Sequence, residues 1–243
     1  GRKNAESRLE HGGAWRSEQE WPLARAVNTK YHLQPEGGLS PQVASADRPL
    51  STYLFDPNNP APTIGGNISS GQPVMAAGGF DQRESAEFFG SREPYLPLAS
   101  RPDVLVFQTE LLAEDVEVTG PVSVQLWISS SAVDTDFTAK LIDVYPPSTD
   151  YPEGYALNLT DGILRVKFRD SWEKPELMES GKVYRAELNL LPVSNLFVKG
   201  HRIRLDISSS NFPRFDVNGN TGENPGTSPI KVTALNSVYH GRE

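Results

Sequence analysis

None of the 243 residues is cysteine. That excludes disulfide bonds, thiolate metal ligands and a cysteine nucleophile, and it leaves the compartment open, since exported proteins also do without cysteine. No apolar run approaches the roughly 20 residues of a membrane-spanning helix, and none has the outline of a signal-peptide core. Positive charge is not in excess. The 23 Lys and Arg stand against 31 Asp and Glu, for a net charge of −8, so the electropositive footprint of a nucleic-acid binder is missing. The Gly-rich signatures that cradle nucleotides are absent, and no cofactor is implied. Four histidines (His11, His32, His201, His240) lie far apart without a zinc-type His-x-x-x-His pair. His201, set between Gly200 and a strand pattern, reads as an ordinary turn or edge histidine. The chain opens on Gly1-Arg2-Lys3 rather than Met and reads as a fragment, with any targeting information ahead of it.

Glycine and proline are plentiful, 20 of each, which suits short strands joined by turns better than a helical bundle. Period-2 alternation dominates. Val122, Val124, Leu126 and Ile128 oppose Ser123, Gln125 and Trp127. Leu164, Val166 and Phe168 oppose Arg165, Lys167 and Arg169. Tyr184, Ala186, Leu188 and Leu190 follow the same rule, as do Ile203, Leu205 and Ile207, and Ile230, Val232 and Ala234 close the series. Half-buried strands explain this alternation. Turn signals separate the runs. Asp161-Gly162 predicts a tight hairpin between strands near 155–160 and 163–169. Helix is expected only as a turn or two at 81–89 and 171–178. Shorter strands are expected at Thr29–Leu33 and Ser51–Phe55. The whole predicts an all-β fold, a jelly-roll β-sandwich over 103–243. A Pro/Gly-rich N-terminal arm over 1–102 wraps it, and the two make one structural domain.

Catalytic chemistry is hard to find. A serine hydrolase of the α/β type carries its nucleophile on Gly-x-Ser-x-Gly, and that pentapeptide does not occur here. Asn67-Ile-Ser-Ser-Gly71 and Gly226-Thr-Ser-Pro-Ile230 each lack one glycine. Asp134 and Asp136 share one strand face, so the pair reads either as a weak cation site or as the solvated start of a strand. The basic rows Arg165/Lys167/Arg169 and Arg202/Arg204 read as cross-strand ion pairs on a wet face. The long connection after Ser208 carries Asn211, Phe212, Arg214, Asp216 and Asn218. Loops of this length are functional or ordered lids. Its polar groups either satisfy the loop's own backbone or meet a ligand or another domain.

Several segments in order resemble one family. They include Trp15-Arg16, Trp21-Pro22, Tyr31-His-Leu33, Asp56-Pro57 and Pro62-Thr-Ile-Gly-Gly66. They continue with Arg101-Pro-Asp-Val-Leu-Val-Phe107, Val118-Thr-Gly-Pro-Val122, the run Asp134–Tyr145, Asp161-Gly-Ile-Leu-Arg165 and Ser208-Ser-Ser-Asn-Phe-Pro-Arg-Phe-Asp216. Together these are similar to the C-terminal sandwich of CocE/NonD-type hydrolases, the group containing X-Pro dipeptidyl-peptidases. The segment 82–99 looks longer than its family counterpart. The resemblance implies a galactose-binding-like jelly roll that follows an α/β-hydrolase domain bearing the Ser-Asp-His triad.

No triad residue falls within this chain on that reading. The fragment is then a non-catalytic domain that buttresses the upstream hydrolase domain of the same parent chain and walls its cleft. The 211–218 loop or Trp172 is the expected contact. The parent would cleave esters, amides or X-Pro peptides. The alternative is an independent carbohydrate-binding module using Trp127, and a third reading is a homo-oligomer. Neither nucleic acid nor membrane is an expected partner.

Overall fold

A computed structural model describes residues 2–10, 13–44, 50–71 and 74–240. Eight strands build the body: β1 (Leu50–Phe55), β2 (Leu105–Gln108), β3 (Val116–Ser130), β4 (Asp136–Tyr145), β5 (Tyr155–Arg165), β6 (Tyr184–Phe197), β7 (Arg202–Ser208) and β8 (Ala234–Tyr239). They form two four-stranded sheets in the orders β6-β3-β8-β1 and β2-β7-β4-β5, antiparallel throughout. Orders 6-3-8-1 and 2-7-4-5 are the double Greek key of a jelly roll. Two short ladders, Arg2–Lys3 with Leu9–Glu10 and His32–Leu33 with Leu39–Ser40, lie ahead of β1.

The alternating residues supply the core. Val124, Leu126 and Ile128 of β3 and Ala186, Leu188 and Leu190 of β6 face Phe137, Ala139 and Leu141 of β4. Ile203, Leu205 and Ile207 of β7 join them. Phe55, Phe107, Phe137 and Phe197 are the largest side chains with essentially no exposure. Burying each such ring is worth about 1.5–3 kcal/mol.

Five local expectations fail, the first three for a visible reason. Asp161-Gly162 is not a hairpin but lies inside the continuous β5, and the chain reverses instead between Tyr145 and Tyr155. Gly162 is required by proximity rather than by a turn. A Cβ there would sit 2.7 Å from Leu190 Cδ2 and 3.3 Å from the Asn189 carbonyl oxygen. Val166–Phe168 leaves the strand as a 3-10 turn, drawn aside as the Val166 N–H donates to the Thr135 carbonyl at 3.0 Å. Among the described residues no α-helix occurs at 81–89 or 171–178. There the backbone joins neighbouring chain instead, with Gln82 N–H on Ala156 O at 3.0 Å and Met178 N–H on Val133 O at 2.7 Å. At the ends, strand is confined to His32–Leu33 rather than beginning at Thr29. β8 starts at Ala234, leaving Ile230 and Val232 exposed.

The close approach at Gly162 yields a direct test. Gly162→Val forces Leu190 and the β6 backbone aside and is expected to cost about 1–3 kcal/mol, read as a lower urea midpoint with an unchanged slope.

Candidate functional site

Strand alternation turns one side of the second sheet away from the sandwich core. On β4 these outward residues are Asp136, Thr138 and Lys140, on β7 Arg204, Asp206 and Ser208, and on β5 Asp161 and Arg165. Nearly all are buried all the same. The cover comes from residues 57–103 and from the loop after β7. Ala61 N–H donates to Ser210 Oγ at 2.8 Å, Phe212 N–H to Ala61 O at 3.0 Å, and Thr63 N–H to Phe212 O at 2.7 Å. Arm and loop thus hold each other, and both lie over a layer of charge.

That layer is paired in detail. The register sets Lys140 opposite Asp161 on one side and Asp206 on the other. Arg204 grips Asp206 with two bonds of 2.7 and 2.6 Å. Arg214 reaches down from the loop to Asp161, whose other oxygen accepts from Asn211 Nδ2 at 2.7 Å. Lys140 donates to Gln82 Oε1 at 3.0 Å, and Gln82 Nε2 donates to the Ile64 and Phe80 carbonyls, each at 3.0 Å. Burial pulls the Lys140 ammonium below its ordinary range, against the attraction of Asp161 and Asp206.

A second cluster surrounds Asp134 and Asp136, which are 0% and 1% exposed. The reading of this pair as a solvated strand start is therefore overturned. Arg165 holds Asp136 through two 2.9 Å bonds. Asn218 Nδ2 bridges Asp136 Oδ1 at 2.7 Å and Asp134 Oδ2 at 3.1 Å. Lys167 adds its backbone N–H at 3.1 Å and its ammonium at 3.7 Å to Asp134. Burial pushes the Asp136 carboxyl up, and Arg165 draws it the other way. The weak cation-site reading has no donor set behind it. Among the described residues no group of three or more His, Asp or Glu is placed to hold a metal. Of the basic rows, Arg165 pairs across strands with Asp136 and Arg204 along its own strand with Asp206, both in a buried layer rather than on a wet face, whereas Arg169 and Arg202 meet the exposed acids Asp170 and Glu110.

The loop residues therefore divide. Asn211, Arg214 and Asn218 do more than satisfy their own loop, because each binds a buried aspartate of the sheet. Phe212 instead reaches the arm, its ring centroid 5.8 Å from that of Phe89. Asp216 is exposed, and its carbonyl accepts from Arg165 at 3.4 Å. Trp172 is brought to none of these. It is 76% exposed and stacks on Phe168 at 6.2 Å. Trp127 is half-buried on the outer face of the first sheet, between Arg185 and Tyr239 of the adjoining strands, and forms no open sugar platform.

Two groupings were missed in the sequence. His201 does follow the turn at Lys199-Gly200, as expected, but its side-chain partner was not foreseen. It is buried, its Nδ1 lies 2.8 Å from Asp143 Oδ1, and Asn195 donates to the second Asp143 oxygen at 3.1 Å. No serine hydroxyl joins that dyad among the described residues, so it lacks a nucleophile. His11 lies outside the described residues. The other grouping is a cleft of about 440 Å³ between the arm and the loops around Phe212 and Pro225, which only the packing of arm on body creates.

The charged and polar groups of this jelly roll hold its own layers together. The chain belongs to the family of X-Pro dipeptidyl-peptidase C-terminal non-catalytic domains, whose model matches residues 3–243. It is 39% identical over 241 residues to the cocaine esterase of Rhodococcus sp. (strain MB1 Bresler), an alignment covering 94% of this chain and 38% of that protein. It is similar in structure to an α-amino acid ester hydrolase, with TM-score 0.72 and 30% identity over 87% of this chain and 34% of the other. An aminopeptidase from a marine sediment Thaumarchaeota archaeon gives TM-score 0.77 and 28% identity over 93% of this chain and 36% of that one. The chain thus spans little more than a third of the length of these relatives. The resemblance read in the ordered segments is shown.

The charged layer makes an asymmetric prediction. Asp161→Ala leaves the buried Arg214 guanidinium without its carboxylate and Lys140 with Asp206 alone, and is expected to cost about 3–5 kcal/mol. Lys140→Met leaves Asp161 with Arg214 and Asp206 with Arg204, and is expected to cost less than half as much. Paired denaturation curves would show it, and equal losses would mean that Lys140 is the required charge.

Proposed function

We propose that this domain serves a serine hydrolase by docking against an upstream α/β-hydrolase domain of the same parent chain. It buttresses that domain and walls part of its substrate cleft. The observation that carries the reading is the match, over 94% of this chain, to 38% of an esterase. The parent reaction is acyl transfer to water through a serine acyl-enzyme, with an ester, an amide or an X-Pro peptide cleaved. The nucleophile, base and oxyanion donors belong to the other domain. The contribution here is shape and the exclusion of bulk water.

Two physical features support docking. The accessible surface is 13474 Å², about a quarter above the roughly 10,700 Å² of a compact monomer of this mass. Trp15, Trp21 and Trp172 are 105%, 55% and 76% exposed, large apolar side chains that a partner domain would cover. The 211–218 loop suits a wall because its inner side is anchored to Asp161, Asp134 and Asp136 while Phe212 and Asp216 are left at the surface. We place Trp172 on the same contact.

The test is a fluorophosphonate serine probe applied to residues 1–243 and to the full-length parent, with adducts mapped by mass spectrometry. The expected result is labelling only upstream of residue 1. A stoichiometric adduct on a serine within 1–243 would overturn the reading.

A further inference from the structure

The segment 83–99 is held against the body at several points. Its start is pinned by the Arg83–Glu153 ion pair at 2.6 Å and by Glu84 N–H on Leu96 O at 3.1 Å. Phe88 packs edge-on against Phe80 with centroids 5.3 Å apart, and Phe89 meets Phe212. Gly90 and Arg92 line the cleft together with Pro57, Phe212, Pro225 and Lys231. The cleft is open to solvent along one side, as suits a segment of chain better than an enclosed small molecule. Proline-lined walls and an anchored loop lose little freedom on binding, so the site is pre-organised.

Its charge is unlike that of the chain around it. In a sequence of net charge −8, the cleft carries Arg92 and Lys231 against Asp216 alone. Arg92 is exposed, and while its backbone N–H donates to Glu84 Oε2 at 3.2 Å, its guanidinium meets no carboxylate among the described residues. The Lys231 ammonium donates only to the Pro57 carbonyl, at 3.2 Å, and keeps two protons for other acceptors. A rigid apolar trough rimmed by two cations without a paired acid complements a chain segment that carries an acidic side chain beside apolar ones.

We propose that this cleft receives an acidic, partly apolar segment of the catalytic domain, so that the 83–99 segment, which lines it through Gly90 and Arg92, helps set the register in which the two domains dock. This rests on the docking reading above. The test is carbodiimide coupling, which joins an amine to a carboxylate in direct ion-pair contact, applied to the full-length parent and mapped by mass spectrometry. Lys231 is expected to couple to an Asp or Glu upstream of residue 1. Arg92→Glu is expected to lower that yield about tenfold, equivalent to about 1.4 kcal/mol of docking, while the near-UV circular dichroism of residues 1–243 alone stays unchanged. Coupling of Lys231 only to acids within this chain, such as Asp216, or to a second copy would overturn the proposal, as would a yield indifferent to Arg92→Glu. Amine-to-amine cross-links between the two parts report docking itself. If they form without the Lys231 product, the cleft assignment alone fails. If none forms, the docking reading fails with it.

Discussion

The structure depends on one constraint, that charges placed on the outward side of a sheet have been removed from water. Lys140, Asp161, Asp206 and Arg204 sit where an isolated jelly roll presents its side chains to solvent, and all are buried. Burying an unpaired ion is prohibitive, while a paired and hydrogen-bonded set is tolerable at best. The cover must therefore supply polar partners as well as area. Gln82 from the arm and Asn211 and Arg214 from the loop do so. The sandwich core explains why the strands form, and the charged layer is where arm, loop and sandwich meet.

That arrangement also separates two functions that the long loop was expected to combine. Its inward groups, Asn211, Arg214 and Asn218, are committed to aspartates of the sheet. Phe212 turns instead to Phe89 of the arm, and Asp216 is exposed. A loop anchored from below costs little to order when a partner arrives, which is what a wall for another domain's cleft requires.

Much of this was legible in the residues. Alternation at 122–128, 184–190 and 203–207 marked true strands with the correct inward faces, because one face of each is buried in apolar surroundings. The ordered family segments gave the domain type. Asp161-Gly162 misled because Asp-Gly marks a hairpin only where positive φ is the reason for the glycine, and here the reason is the nearness of Leu190. Asp134, Asp136 and the basic rows were placed in water because alternation locates a face without saying what covers it. His201 paired with Asp143, and the cleft beside Phe212, arise from contacts between residues more than fifty positions apart, which no local pattern encodes.

The most direct measurement is native-state hydrogen exchange on residues 1–243, comparing the amides of Thr63, Gln82, Phe212 and Phe215 with those of β3 and β4. If the charged layer binds arm and loop into the body, these four amides exchange only through global unfolding, with the same free energy and denaturant dependence as the strands. Exchange by a separate opening of much lower energy would contradict the account, making the arm a flap over a sheet that is stable without it.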